Sequence, residues 1–184
     1  DMVPQKISGK GTEKLVSRNI VTTIIADFLR IFLGFINSRR AWNKLKGNVD
    51  FVYERFAALQ TLGFIFKKKG IPWVLETNAP LFYEAKIERN SLVLSNFAKK
   101  LEKKAYEMCD VLICVSEPLK EIIVRELKIN PDKIIVVPNG VDTSIFDPKK
   151  YSAKREFDEF TVGFVGSLIS WQGLDLLLKA IKQL

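Results

Sequence analysis

The stretch VLICVSEPLKEIIVRELKINPDKIIVV, residues 111–137, decides the reading of the fold. Two short, continuously apolar runs, VLIC and IIVV, bracket a segment whose apolar residues recur at helical spacing. The segment opens on Ser116-Glu117-Pro118, which places a capping hydroxyl and a first-turn proline where a helix begins. Strands that are apolar throughout, rather than alternating, belong to parallel sheets covered on both faces, joined by right-handed strand-helix-strand connections.

Working outward, the same grammar repeats. Towards the N-terminus it predicts a helix over about 91–108, a strand over 73–76, a helix over about 57–69 and a strand from Val49 to Tyr53. Before these, residues 13–46 carry Leu15, Ile20, Ile24, Phe28, Ile31, Phe35 and Ile36 at helical spacing, with Gly34 as a point of break or kink. Asp27 and Arg30 interrupt the apolar run 20–36, making it too short and too charged to span a bilayer, so an amphipathic helix is expected. Residues 1–12 read as a loop.

Towards the C-terminus the regularity stops. Residues 138–160 are polar and turn-rich and read as a linker, with Asn139-Gly140 as a turn dipeptide. A strand over 161–165, a glycine-rich turn and a helix from about Leu174 follow. The expected fold is α/β, a Rossmann-like parallel sheet with flanking helices. Its divisions are 1–137 for the first domain, 138–160 for the linker and 161–184 for the opening of a second.

Composition narrows the chemistry. The 184 residues include no histidine, which removes imidazole bases, His-containing zinc sites and triads built on His. The net charge is +8, and the basic excess lies in residues 1–110, where 19 Lys or Arg face 11 Asp or Glu. Clusters such as Arg39-Arg40 and Lys67-Lys68-Lys69 suit either solvated helix ends or an anionic surface. Cys109 and Cys114, the two cysteines, are expected to be buried and reduced.

In open parallel sheets, ligands sit beyond the carboxyl ends of the strands. That rule selects Glu54 and Arg55, then Glu76, Thr77 and Asn78, then Ser116 and Glu117, then Asn139 and Gly140, and in the last unit Gly166 and Ser167. Each has a structural alternative: Ser116 as a helix cap, Glu54-Arg55 as a surface ion pair. Glu54 and Glu76 are a pair of carboxylates of the type glycosidases use, with a separation the sequence does not give. The turn Gly166–Gly173 brings backbone N–H groups to a helix start, a phosphate-binding arrangement, and Trp171 beside it suits base stacking or packing.

Four segments in order, VYERF (52–56), VLETNAPLFYE (74–84), AYEMCDVLICVSEPLKEIIV (105–124) with VVPNGVDTSIFDP (136–148), and GFVGSLISWQGLDLLLKAI (163–181), resemble family 4 glycosyltransferases. The resemblance implies the two-domain GT-B architecture. The chain would then hold the later part of an acceptor-side domain and the first strand-turn-helix of a donor domain, and be inactive alone. It implies transfer of a sugar from a nucleotide-diphosphate donor to an acceptor hydroxyl with retained configuration, without cofactor or metal. The family's main carboxylates, a pair of glutamates in the donor domain, are expected beyond Leu184, so the resemblance assigns no catalytic residue within the chain.

By the same resemblance, Gly166, Ser167, Gln172 and Gly173 face the donor, while Glu54, Arg55, Glu76, Thr77, Asn78, Ser116, Asn139 and Gly140 face the acceptor or the cleft. The family turn G-R-L-x-x-x-K-G carries two cations at the positions of Ser167 and Gln172, and their absence weakens the expected grip on diphosphate. The implied partners are the nucleotide sugar and a glycan or lipid-linked acceptor, with no nucleic acid. The implied location is cytoplasmic, leaving open a peripheral contact with an anionic membrane at its inner face. The competing readings are a basic Rossmann-like module that binds nucleic acid or membrane without catalysis, and a nucleotide-dependent oxidoreductase, for which the fingerprint glycines are missing.

Overall fold

The computed structural model describes residues 20–81, 93–150, 160–166, 168 and 172–183, and the chain divides into two compact units, 1–138 and 139–184. The first unit holds α1 (Ile20–Leu45), β1 (Val52–Arg55), α2 (Gly63–Lys68), β2 (Trp73–Thr77), α3 (Ser95–Met108), β3 (Val111–Cys114), α4 (Glu117–Leu127) and β4 (Ile134–Val136). The four strands form one parallel sheet in the order β1-β2-β3-β4, the Rossmann-like α/β arrangement the apolar runs predict.

Register aligns Glu54 with Leu75, Leu75 with Leu112, and Leu112 with Ile134. Because side chains alternate along a strand, these residues share one face with Trp73, Thr77 and Cys114. That face is buried beneath Ala105 and Tyr106 of α3 and Leu119, Ile123 and Leu127 of α4, which together form the core. Both cysteines lie in it, free and buried, and burial pushes the Cys109 thiol up to about 11.

The opposite face departs from expectation. Tyr53 and Ile135 on it are half exposed, and Val74, Glu76, Val111 and Ile113 are only partly buried. The sheet is therefore covered on one face, not two, among the described residues. Each connection steps to the next strand in the same direction, and connections of one hand then put every helix on one side. For the same reason these four strands contain no reversal of order, the place where open α/β sheets form a binding crevice.

Several boundaries also move. β1 includes Glu54 and Arg55 and β2 includes Thr77, so these residues end strands rather than follow them. The helix expected from Ala57 begins at Gly63, because residues 57–60 close into a tight turn with Leu59 at φ 63°. α3 begins at Ser95, since the backbone N–H groups of Val93 and Leu94 bond instead to Asp27 Oδ2, at 2.9 and 3.1 Å.

The first helix is continuous through Gly34, which is a close packing point: a Cβ there would stand 3.4 Å from the Gln60 backbone. At 26 residues α1 is long and apolar enough, by length and composition, to cross a membrane, against the sequence expectation. It is amphipathic in an inverted sense. Thr23, Asp27, Gly34 and Ser38 are its buried residues, while Ile20, Val21, Ile25, Phe28, Leu29 and Phe32 are exposed and Ile31 packs against Leu59 and Ala98.

In the second unit, Asp142 organises a turn by accepting hydrogen bonds on Oδ1 from the Ser144 N–H (2.8 Å) and hydroxyl (2.6 Å). Asn139 and Gly140 precede this turn in irregular chain without positive φ, so the turn sits on the aspartate and not on the Asn-Gly pair. Residues 161–165 form no strand, and among the described residues no strand pairs with them. α5 (Leu174–Ile181) forms as expected, with Gly173 at φ 65° in the N-cap position.

Candidate functional site

The pleat separates the residues nominated at the strand ends. Glu54 and Thr77 point to the covered face, whereas Arg55 and Glu76, paired in register, point to the open one. A glycosidase-type pairing of Glu54 with Glu76 is thereby excluded, since the two carboxylates lie on opposite sides of the sheet.

Glu54 Oε1 and Oε2 accept the N–H groups of Leu62 and Gly63, each at 2.7 Å, so this carboxylate caps the start of α2 from within a strand. Burial raises its pKa, and the two backbone hydrogen bonds oppose the rise. The indole Nε1 of Trp73 faces the same carboxylate yet falls outside hydrogen-bond geometry, and it is a buried polar atom without a partner.

Thr77 is likewise internal. Its hydroxyl donates to the Ala79 carbonyl (3.0 Å) and lies 2.8 Å from the Tyr106 hydroxyl, which is 2.7 Å from Glu102 Oε1. Ser116 Oγ accepts the Leu119 N–H at 3.4 Å as the cap of α4.

On the open face the carboxyl ends of β1 and β2 hold a polar cluster. Tyr53 Oη donates to Glu76 Oε2 at 2.5 Å, and Arg55 Nε approaches Glu76 Oε1 at 3.9 Å. The Asn78 carboxamide, turned to suit its neighbours, donates to Glu76 Oε1 at 3.0 Å and accepts from Arg55. The hydrogen bond to Glu76 is the main reason the Tyr53 phenol titrates above its ordinary value, with burial and the Glu76 charge adding and Arg55 opposing. Beside the cluster, an open cavity of about 390 Å³ is lined by Tyr53, Glu54 and Arg55 together with Ala41 and Leu45 of α1.

Tyr53 was missed in the sequence. The alternation in VYER carried the signal, because residues two apart on a strand share a face and Tyr53 therefore accompanies Arg55. The cluster brings Arg55, Glu76 and Asn78 together and leaves Glu54, Thr77 and Ser116 in structural positions. Its cation and carboxylate are already paired and its phenol stays protonated at neutral pH. Such a surface offers hydrogen bonds to hydroxyls more readily than it offers a free base.

Of the residues nominated in the second unit, Gly166, Gln172 and Gly173 lie before α5 and Asn139 and Gly140 are exposed, while Ser167 and Trp171 are outside the described residues. Leu184, too, is outside the described residues. Among the described residues, no group of three or more Cys, Asp or Glu has the arrangement of a metal site.

Relatives of known activity share these segments. The chain is 37% identical over 79 residues to a polypeptide of the human phosphatidylinositol N-acetylglucosaminyltransferase, covering 42% of this chain and 16% of that protein. It is 36% identical over 104 residues to the Escherichia coli UDP-Gal:alpha-D-GlcNAc-diphosphoundecaprenol alpha-1,3-galactosyltransferase, covering 56% and 26%. With the D-inositol 3-phosphate glycosyltransferase of Stackebrandtia nassauensis it shares 30% identity over 88 residues, covering 45% and 20%. The aligned part thus spans from about a sixth to a quarter of these relatives' lengths. The sequence profile of glycosyltransferase family 4 matches residues 8–145, which include the whole sheet and the polar cluster on its open face, and the chain belongs to that family.

Proposed function

We propose that the complete gene product transfers a sugar from a nucleotide-diphosphate donor to a hydroxyl of a lipid-linked acceptor, with retention of anomeric configuration. The observation that carries the reading is the Tyr53–Arg55–Glu76–Asn78 cluster at the carboxyl ends of β1 and β2, a set of hydrogen-bonding groups suited to a polyhydroxyl acceptor. The names of the relatives support the substrate class: one contains UDP-Gal and diphosphoundecaprenol, another phosphatidylinositol. Gly166, Gln172 and Gly173, with Ser167, take the donor side of the reading, where backbone N–H groups ahead of α5 orient phosphate oxygens. The acceptor proton passes to the donor phosphate, and the protein contributes positioning. The reaction needs no metal and takes place at the cytoplasmic face of a membrane, in keeping with the buried free cysteines.

The test is donor turnover by the complete gene product. Nucleotide diphosphate is released from one nucleotide sugar in the presence of a polyprenyl-diphosphate or phosphatidylinositol acceptor, the release survives EDTA, and the product anomer matches the donor by NMR. Arg55→Ala frees Glu76 and disorders the cluster, raising the acceptor KM about tenfold with kcat little changed. Absence of turnover with any nucleotide sugar, or an inverted anomer, overturns the reading.

A further inference from the structure

α1 carries its polarity inside out. Asp27 is fully buried, holding the Val93 and Leu94 N–H groups on Oδ2 and Arg30 on Oδ1 (2.8 Å). Ser38 Oγ donates to the Leu62 carbonyl at 3.3 Å, and Trp42 packs edge-on against Phe66 with ring centroids 5.5 Å apart. The helix is thus fastened to the domain by Asp27, Ser38 and Trp42, with Ile31 packed against Leu59 and Ala98. The opposite side presents Val21, Ile25, Phe28, Leu29 and Phe32 to solvent, with Phe28 and Phe32 each 59% exposed. A run of large apolar side chains this continuous exceeds what a soluble surface ordinarily leaves uncovered.

Two further observations say what covers it. A groove of about 330 Å³ between α1, α2 and α3 continues the apolar side through Ile31, Phe35 and Phe97, with Arg39 and Lys68 on its lining. Arg39 lies over the Phe35 ring, 4.5 Å from its centroid, so a cation stands where the apolar surface ends. Arg39, Arg40 and Lys44 follow the apolar segment along α1, in the part of the chain that carries the basic excess.

We propose that the outward side of α1 and the adjoining α1–α2–α3 groove dock the protein on a leaflet of anionic phospholipid. α1 lies in the plane of the interface, its apolar side at acyl-chain level and its cations at the phosphates, the geometry of an interfacial helix. Although α1 is long and apolar enough to span a bilayer, its Asp27 and Ser38 anchors hold it on the domain. The proposal rests on the lipid-acceptor reading only for the purpose of docking. It is measured with neither donor nor acceptor present, so a failure of sugar transfer leaves its outcome legible.

The experiment is flotation of the complete gene product with vesicles of phosphatidylglycerol and phosphatidylcholine, or of phosphatidylcholine alone. Binding to the anionic vesicles is expected to be about tenfold stronger, to weaken with salt, and to be released by alkaline carbonate. Phe28→Asp/Phe32→Asp abolishes it. Arg39→Glu/Lys68→Glu, both at exposed positions, lowers it about tenfold while circular dichroism stays unchanged. Equal binding to both vesicle types, no binding, or full binding by the charge-reversed variant overturns the proposal. Retention through carbonate overturns the in-plane arrangement and identifies a spanning helix. Aggregation of the Phe28→Asp/Phe32→Asp variant, together with absent flotation of the wild type, assigns the apolar side to protein packing.

Discussion

Residues 73–127 and residues 161–181 are written in the same way, an apolar run, a polar turn and then an amphipathic helix, yet the two regions fold differently. In the first, Trp73–Thr77 and Val111–Cys114 pair as strands and bury Trp73, Leu75 and Leu112 completely. In the second, residues 161–165 remain irregular, Val165 is fully exposed, and no described residue of α5 is buried. A strand needs a partner for its backbone groups, while a helix satisfies its own, so α5 forms where its preceding strand does not. Propensity is shared by the two regions and neighbours are not.

Two glycines, Gly63 packed against Trp73 of the first region and Gly173 within the second, turn that contrast into measurements. At Gly63 the limit is space. A Cβ there would come within 2.0 Å of the Trp73 ring, which is fixed at the centre of the core. Gly63→Ala is expected to lower the stability of the first unit by about 3 kcal/mol, at the upper end of overpacking costs, read from denaturant unfolding followed by tryptophan fluorescence. A loss under about 1 kcal/mol would mean that the indole moves aside, and the central packing of β2 would then be looser than the structure shows.

Next in size is the cap on α2. Glu54→Gln leaves one of the Leu62 and Gly63 N–H groups facing an amide donor, at a cost of about 2 kcal/mol. Its pH dependence has a definite sign. The folded pKa of Glu54 is raised above 4.5, chiefly by burial, so the unfolded chain gives up its proton first. The stability linked to this group is fully present below pH 4.5 and is lost as pH rises through the folded value. The gap between wild type and Glu54→Gln therefore narrows as pH is raised from 4 towards 7, in unfolding curves of both proteins. A widening gap would show that the two backbone hydrogen bonds outweigh desolvation.

These residues also mark how far the sequence could be read. β2, β3, β4 and the Ser116 cap of α4 were legible, because each is a local pattern of apolar runs and capping residues that the tertiary structure leaves unopposed. The start of α2 was not, since it is fixed by a carboxylate eight residues upstream in another strand, with Leu59 in left-handed backbone between them. Nor was the orientation of α1. Thr23, Asp27, Gly34 and Ser38 recur at helical spacing as faithfully as the apolar residues do, and periodicity does not say which stripe meets the domain. At the strand ends the sequence nominated Arg55, Glu76 and Asn78 separately, and the three lie together. It mixed them with Glu54 and Thr77 because the end of β1, on which the choice of face depends, is a boundary set by pairing with β2.

The smallest expected effect belongs to the glycine of the second region, where the limit is backbone and not space. Gly173 stands at φ 65° with no atom within 4 Å of where its Cβ would be, so any side chain fits, but only some tolerate the left-handed conformation. Gly173→Ala should weaken the start of α5 by about 1 kcal/mol, and Gly173→Asn by less, because a short polar side chain stabilises that backbone locally. At Gly63 the order reverses, since Asn is larger than Ala and meets the same indole. Amide exchange at Leu177 and Leu178 reads the first effect, and unfolding of the core reads the second. If Asn proves worse than Ala at both positions, Gly173 is confined by packing too, and the second region is more tightly built than its exposure implies.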